Sequence, residues 1–121
     1  MCKKILIAKK DHIEDWMILD NGSLKLLEKT IIAEQNIKIY IHSNETSKHH
    51  RPHVHASYNE REYVISIDNT IEVIEPKEDK FSRYLIKTYF RSHLQYFRKE
   101  WNSICSSYKF SINDKGEYIC A

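Results

Sequence analysis

The 121 residues are 41% apolar and 12% aromatic, with only two glycines, two prolines and a formal net charge of +2. This length suits one compact domain, and the composition excludes disordered, collagen-like and linker-like chains because enough apolar side chains are present to form a core. No apolar run reaches the ~20 residues of a membrane span, and the N-terminus does not resemble a secretory signal. The three cysteines form no C-x-x-C pair. We therefore expect a cytoplasmic protein with free thiols and no membrane partner.

Residues 1–35 are predicted to form an N-terminal β/α extension. Residues 4–8 are β-rich and indicate a short strand. Residues 16–19 precede an Asn-Gly pair and are typical of a strand that enters a tight turn. A second interpretation has Ser23 capping a helix over residues 24–35, where leucine and isoleucine recur at helical spacing. The pattern leaves both open.

Alternating apolar and polar residues then predict an antiparallel meander. The predicted strands are Ile37–His42, His53–Tyr58, Glu62–Ile67 and Ile71–Ile74, with turns at residues 59–61 and 68–70. Pro52 can begin a strand but cannot lie inside a central one, so it marks the start of the second. The residues between the first two strands form a polar loop.

From Asp79 to about Ile104 the period changes to 3.6, which predicts one long amphipathic helix. Its apolar arc includes Tyr89, Phe97 and Trp101, and His93 falls within that arc. A basic stripe runs beside it, formed by Lys80, Arg83, Lys87, Arg91 and Arg98. The stripe either solvates the helix or follows a phosphate backbone.

The predicted fold class is α+β, with a small antiparallel meander packed against one long C-terminal helix. Within a single domain of residues 1–121, residues 36–104 form the core and residues 105–121 a terminal hairpin or tail with a turn at 114–116. The charge is uneven, since residues 60–79 hold seven acids against two bases and residues 80–101 six bases against one acid. The acidic segment either covers the basic stripe or binds a basic partner.

Histidine is the most informative residue type, because five of the seven lie between His42 and His55. His53 and His55 are two apart on a predicted strand, so their imidazoles project from one face about 6–7 Å apart. With His49 or His50 as a third ligand, they could bind a divalent transition metal such as zinc, and we take His49, His53 and His55 as the candidate metal ligands. Alternatively, the pair could act as general acid and base on a phosphodiester without a metal.

Basic residues interleaved with the histidines suit phosphate binding. Lys48 and Arg51 are the candidates beside the cluster, Arg51 through its fork geometry and Lys48 as a point charge. A carboxylate partner could come from Glu45 in the loop, or from Glu62 and Asp68 on the adjacent strand. The non-functional alternative is a histidine-rich strand face that serves only structure or solvation.

The segment His49–His55, followed by Tyr58 and the run Glu62–Ile67, resembles the bacterial domain-of-unknown-function family numbered 4160, whose core reads roughly H-x-P-P-H-F-H-V-x-Y. His93, eight residues before Trp101, also matches that family's helix. The resemblance covers residues 36–104 and departs from the family at Arg51 and Val54. It implies a short bacterial protein encoded beside a second small domain, in an arrangement like a toxin–antitoxin pair.

The leading hypothesis is a toxin that acts on RNA and is neutralised by a small cognate partner protein. Its catalytic residues would be His53, His55 and His93, and its phosphate-binding residues His49, Arg51, Lys48 and Arg91. The alternative is a non-catalytic module, a regulator or adaptor that binds a metal or a partner. A third interpretation is structural, with His93 packing against His53 or His55 to hold the helix on the sheet.

Overall fold

The computed structural model describes residues 3–8, 13–18, 24–42, 51–105 and 111–118. Its strands are β1 Lys3–Ala8, β2 Ile13–Ile18, β3 Leu24–Glu34, β4 Ile37–His42, β5 His53–Tyr58, β6 Arg61–Ser66 and β7 Val73–Glu75. They form one antiparallel sheet in the order β1 to β7, so each strand pairs with its neighbours in sequence. The predicted meander and α+β class are confirmed, and the sheet extends through the N-terminal region.

The helical interpretation of residues 24–35 was wrong, because β3 pairs with β2 on one side and β4 on the other. Ile31 is an extra residue in the β3–β4 register, which shifts between Thr30 and Ile32. The bulge lets Ile31 enter the core, where it is 3% exposed. The bulge interrupts the two-residue period, so Thr30 and Ile31, which are adjacent in sequence, are both buried.

Two tight turns fix the register of neighbouring strands. Gln35 and Asn36 have φ of 50° and 67° between β3 and β4, and Asn59 and Glu60 have φ of 47° and 67° between β5 and β6. Two central residues with positive φ match the twist of a right-handed hairpin. These turns therefore determine which side chains of β4, β5 and β6 share a face.

The two faces of β4–β6 differ in chemistry. One face packs on the helical layer through buried side chains, among them Ile39, Ile41, Val54, Ala56 and Ile65. The alternate positions project to the other side. We call this second side the histidine face, and it carries Tyr40, His42, His53, His55 and Glu62.

The predicted single helix is instead interrupted. It consists of α1 Lys80–Leu85, a π-helical segment Ile86–Phe90, a turn at residues 91–93, and α2 Leu94–Cys105. Asp79 caps α1 in a reciprocal pair with Ser82. In the described part of the chain, no helix has the length and apolar character that crossing a membrane requires.

The interruption changes which side chains face the core. Arg91 N donates to Ile86 O across five residues at 3.0 Å, so one extra residue enters the turn. An extra residue shifts the helical phase by about 100°. Two predictions that assumed an unbroken helix were therefore wrong, since His93 is exposed and Arg98 is buried, with 5% of its surface exposed.

Two arginines bind the connection that follows β6. Arg51 Nε donates to Asp68 Oδ2 at 2.8 Å and Arg51 Nη2 to Asp68 Oδ1 at 3.0 Å. From α2, Arg98 Nε donates to the Ile67 carbonyl at 2.8 Å and Nη2 to the Asp68 carbonyl at 3.3 Å. We call Arg51, Asp68 and Arg98 the arginine network, and it joins the start of β5, the end of β6 and the helical layer.

The predicted turn at residues 114–116 is confirmed, and a single bridge between Ile112 and Tyr118 closes it. Arg98 Nη1 donates to the Asp114 carbonyl at 2.7 Å. Gly116 has φ +82°, and a Cβ there would lie 2.6 Å from Asn69 N and from Arg98 Nη2. Only glycine fits this contact without movement, so the turn closes directly on the arginine network.

Asp68 is expected to make stability dependent on acid pH. Burial alone would raise the pKa of its carboxyl, but hydrogen bonds from Arg51 and Thr70 outweigh burial and hold the pKa below its ordinary value. A carboxylate of this kind stabilises the fold above its unfolded-state pKa of about 4, and the contribution is lost as pH falls through the lower folded-state value.

We therefore expect the Asp68→Asn variant to lose about 2 kcal/mol of unfolding free energy at pH 7, because the partly buried Arg51 guanidinium would lose its bidentate partner and keep only the exposed Glu72 carboxylate. Its stability should also fall less than that of the wild type between pH 5 and pH 2. Urea unfolding at a series of pH values measures both effects. Glu78→Gln, at an exposed position, is the control. Parallel pH curves for wild type and Asp68→Asn would contradict this role.

Candidate functional site

The strand register brings three potential metal ligands together on the histidine face. Tyr40 pairs with His55 across β4 and β5, and His55 pairs with Val64 across β5 and β6. His42 and Glu62 each lie two residues beyond these partners, so both are diagonal neighbours of His55. One ligand atom from each of His42, His55 and Glu62 lies within 4.8 Å of the other two.

His55 is the fixed member of this group. Its side chain is 8% exposed, and Tyr40 stacks against it with ring centroids 5.3 Å apart. His55 Nδ1 lies 3.2 Å from Glu62 Oε1, and the His42 ring packs edge-on at 4.4 Å. His42 and Glu62 have side-chain exposures of 39% and 54%. The group therefore has a buried anchor and two adjustable ligands at its rim.

A carboxylate lies beside Nδ1 of each imidazole. Glu28 is the cross-strand partner of His42, and its Oε1 is 3.6 Å from His42 Nδ1. Lys38 Nζ donates to the other oxygen of Glu28 at 2.6 Å, which holds that carboxylate in place. A carboxylate in this position orients a metal-binding imidazole and increases its basicity.

The donor set fits a divalent transition metal. Imidazole nitrogens and a carboxylate oxygen bind zinc at about 2.0–2.2 Å, which places ligand atoms about 3.3 Å apart in a tetrahedral site. In the present group the ligand atoms lie within 4.8 Å of one another, and His55 Nδ1 is already 3.2 Å from Glu62 Oε1. Since His42 and Glu62 are both partly exposed, small rotamer changes of these two side chains would close it around an ion.

His53 has a different environment from His55. It is 1% exposed, its Nδ1 is 2.7 Å from the carbonyl oxygen of Arg51, and its ring lies 5.2 Å from that of Trp101 on α2. The rings of His53 and His55 are 5.3 Å apart, so the two are neighbours as predicted. His53 nevertheless lies beside the metal-ligand group, not within it.

Arg51 directs its guanidinium into the protein. Beyond Asp68 it donates to Ser66, Thr70 and Glu72. Its hydrogen bond to Asp68 raises the pKa of Arg51 further above its already high value, against the effect of burial. These contacts favour a structural role for Arg51 over the predicted phosphate binding.

Two further predicted site residues, His93 and Arg91, make no contact with His55. His93 contacts Tyr89, Ser92 and Phe97 within the helical layer, and Arg91 is exposed there. That layer covers the core face of the sheet, whereas His55 projects to the opposite face. Lys48 and His49 lie outside the described residues, as do His50 and Glu45.

Comparison with known proteins places the chain in a family. A family described as a domain of unknown function, DUF4160, matches residues 36–102. The chain belongs to this family. The DUF4160 region runs from the turn before β4 into α2, so it contains the histidine face and both arginines of the network. No curated protein and no solved structure matches the chain.

The sequence analysis missed His42 and Glu62 as members of one group. Both were visible, His42 as the last residue of a predicted strand and Glu62 as a carboxylate near the cluster. What was lacking was the register of β4 against β5, because the ten residues that join the two strands carry no short hairpin signature from which a register could be predicted. In this DUF4160 member, the register selects His42 over His53 as the partner of His55.

The two histidines that flank His55 are expected to respond differently to truncation. His53→Ala should lower the unfolding free energy by about 2–4 kcal/mol, because it leaves a cavity against Trp101. His42→Ala should change it by less than about 1 kcal/mol, since that side chain is 39% exposed. Chemical denaturation of the metal-free proteins measures both. Equal losses in the two variants would contradict the assignment of His53 to the interior.

Proposed function

We propose that this protein binds a divalent transition metal through His42, His55 and Glu62. The observation that carries the proposal is the convergence of these three side chains, from three adjacent strands, within 4.8 Å. Ligands on paired strands of one sheet are held more rigidly than ligands on loops. The proposed site replaces the set His49, His53 and His55 inferred from spacing alone.

Zinc is the ion that the donor set suits best, because neutral imidazole and carboxylate ligands both bind it well. Three ligands among the described residues leave a fourth position for water or a substrate, which is typical of catalytic zinc sites. A water in that position would lie near the exposed rim formed by His42 and Glu62. This supports an ion that does chemistry or binds a small anionic group.

Calorimetric titration of zinc, then manganese and nickel, into metal-free protein tests the proposal. We expect one zinc per chain with micromolar or tighter affinity. The variants His42→Ala and Glu62→Gln should each weaken binding by at least tenfold, since each removes one of three ligands. Nickel should bind through the imidazoles, and manganese more weakly than zinc.

His93→Ala is the matched control, because it removes an exposed histidine that lies outside the group. All three cysteines are present in every variant, so differences between variants report on the histidine face alone. Zinc binding that is equally tight in all four proteins, or absent from the wild type, would rule out the site.

A toxin that cleaves RNA is the second candidate function, and a specific contact favours it. The His42 and His55 rings are 4.4 Å apart, with Glu62 beside His55 and His42 open to solvent. One neutral and one protonated imidazole could share base and acid roles at a phosphodiester. We place the pair at His42 and His55 because His42 is open to solvent, whereas His53 is packed against Trp101. The small partner protein of a toxin–antitoxin-like pair would then cover this face.

Growth inhibition on induced expression in bacteria tests this candidate. We expect His42→Gln to relieve the inhibition and His93→Gln to retain it, because only the first substitution removes a member of the imidazole pair. Purified protein should cleave single-stranded RNA with a bell-shaped pH profile. Cleavage that survives a chelator would assign the reaction to the metal-free pair. Equal inhibition by wild type and His42→Gln would reject this candidate.

A further inference from the structure

The helical layer carries a second charged surface on the side away from the histidine face. Lys80, Arg83, Lys87 and Arg91 are all exposed, and we call these four residues the basic row. Within the described part of the chain, their side chains make no recorded hydrogen bond or ion pair. Four exposed cations within twelve residues, on a chain of net charge +2, are a local concentration of positive charge.

Four of the seven acids in the segment that precedes α1 are bound elsewhere in the fold. Asp68 and Glu72 bind Arg51, Asp79 caps α1 and accepts a hydrogen bond from Tyr63, and Glu62 lies against His55. These acids are therefore engaged elsewhere in the fold. The expectation that the acidic segment covers the basic stripe is not met by these four side chains.

The π-helical segment helps to align the basic row. In an α-helix, four residues overshoot a full turn by about 40°, so residues spaced by four drift around the axis. The turn closed by the hydrogen bond from Arg91 N to Ile86 O is wider and holds one more residue. Four residues in this turn therefore fall short of a full turn, which offsets the drift. Arg83, Lys87 and Arg91 consequently follow the helix axis at steps of about 6 Å.

An aromatic side chain lies among these cations. Tyr84 is 44% exposed and is the one large hydrophobic side chain exposed in the described ranges. Its ring packs 5.9 Å from Phe81 and 6.4 Å from Tyr89, so it is held in place on one side. The other side is open for a planar group to stack on.

We propose that the basic row and Tyr84 bind a single-stranded nucleic acid. The cations would contact successive phosphates, and Tyr84 would stack on an unpaired base. A protein partner is disfavoured, because specific protein interfaces bury an apolar centre and this surface offers one tyrosine. Binding to a polyanion needs no such centre, since release of counterions supplies the free energy. This proposal is independent of the metal site, which lies on the other face of the sheet.

Fluorescence anisotropy of labelled 12-nucleotide oligouridine and oligothymidine tests the proposal. Four phosphate contacts predict a slope of log K against log salt of about −2.8, or about 50-fold weaker binding at 200 mM than at 50 mM salt. Arg83→Gln combined with Lys87→Gln should halve the slope, leaving about a sevenfold change. Tyr84→Ser should weaken binding about tenfold, and Tyr84→Phe should restore it.

The control is Lys77→Gln combined with Lys115→Gln, which removes the same charge from exposed positions outside the row. This control should bind the oligonucleotides like the wild type. His42→Gln should also bind them like the wild type, and this result would show that the basic row acts separately from the metal site. Equal weakening of binding by the Arg83→Gln/Lys87→Gln pair and by the Lys77→Gln/Lys115→Gln pair would overturn the proposal. Polyglutamate that displaces the oligonucleotide equally well from the wild type and from Tyr84→Ser would also overturn it, since that result would identify an acidic polypeptide as the ligand. Tighter binding of one oligomer would distinguish RNA from DNA as the source of the strand.

Discussion

The ion pair between Arg51 and Asp68 is the contact on which the histidine face depends. Arg51 lies two residues before His53, and its own carbonyl accepts from His53 Nδ1. Fixing the Arg51 side chain to Asp68 therefore fixes the backbone from which β5 starts, and with it the positions of His53 and His55. An arginine bound bidentately to a carboxylate constrains orientation as well as distance, which a lysine at this position could not do.

The period of two in the sheet separates the chemistry of the molecule into two sides. Apolar residues at one set of positions bind the helical layer, and the alternate positions carry His42, His55 and Glu62. The exposed cations of the basic row lie on the helical layer, which packs on the apolar face of the sheet. His93 and Arg91, which the sequence suggested would share a site with His55, lie on the helical layer and make no contact with it.

The sequence predicts the β4–β7 meander well, because each strand alternates cleanly and the polar turns separate them. It fails where one extra residue breaks a period. The bulge at Ile31 interrupts the alternation expected of a strand in β3, and the π-helical segment exchanged the environments of His93 and Arg98. Neither insertion has a composition signal such as Gly or Pro, since both are imposed by packing around them. The pairing of His42 with His55 needed the strand register, which spacing within β5 could not supply.

His53 is the residue that connects the two sides. Its ring contacts His55 on the histidine face and Trp101 on α2, and its Nδ1 is bound to the arginine network through the Arg51 carbonyl. A shift of His55 on binding an ion would therefore press on a fully buried tryptophan in a close-packed interior. His53 and Trp101 thus pack the metal-ligand group against α2, the helix that also supplies Arg98 to the arginine network.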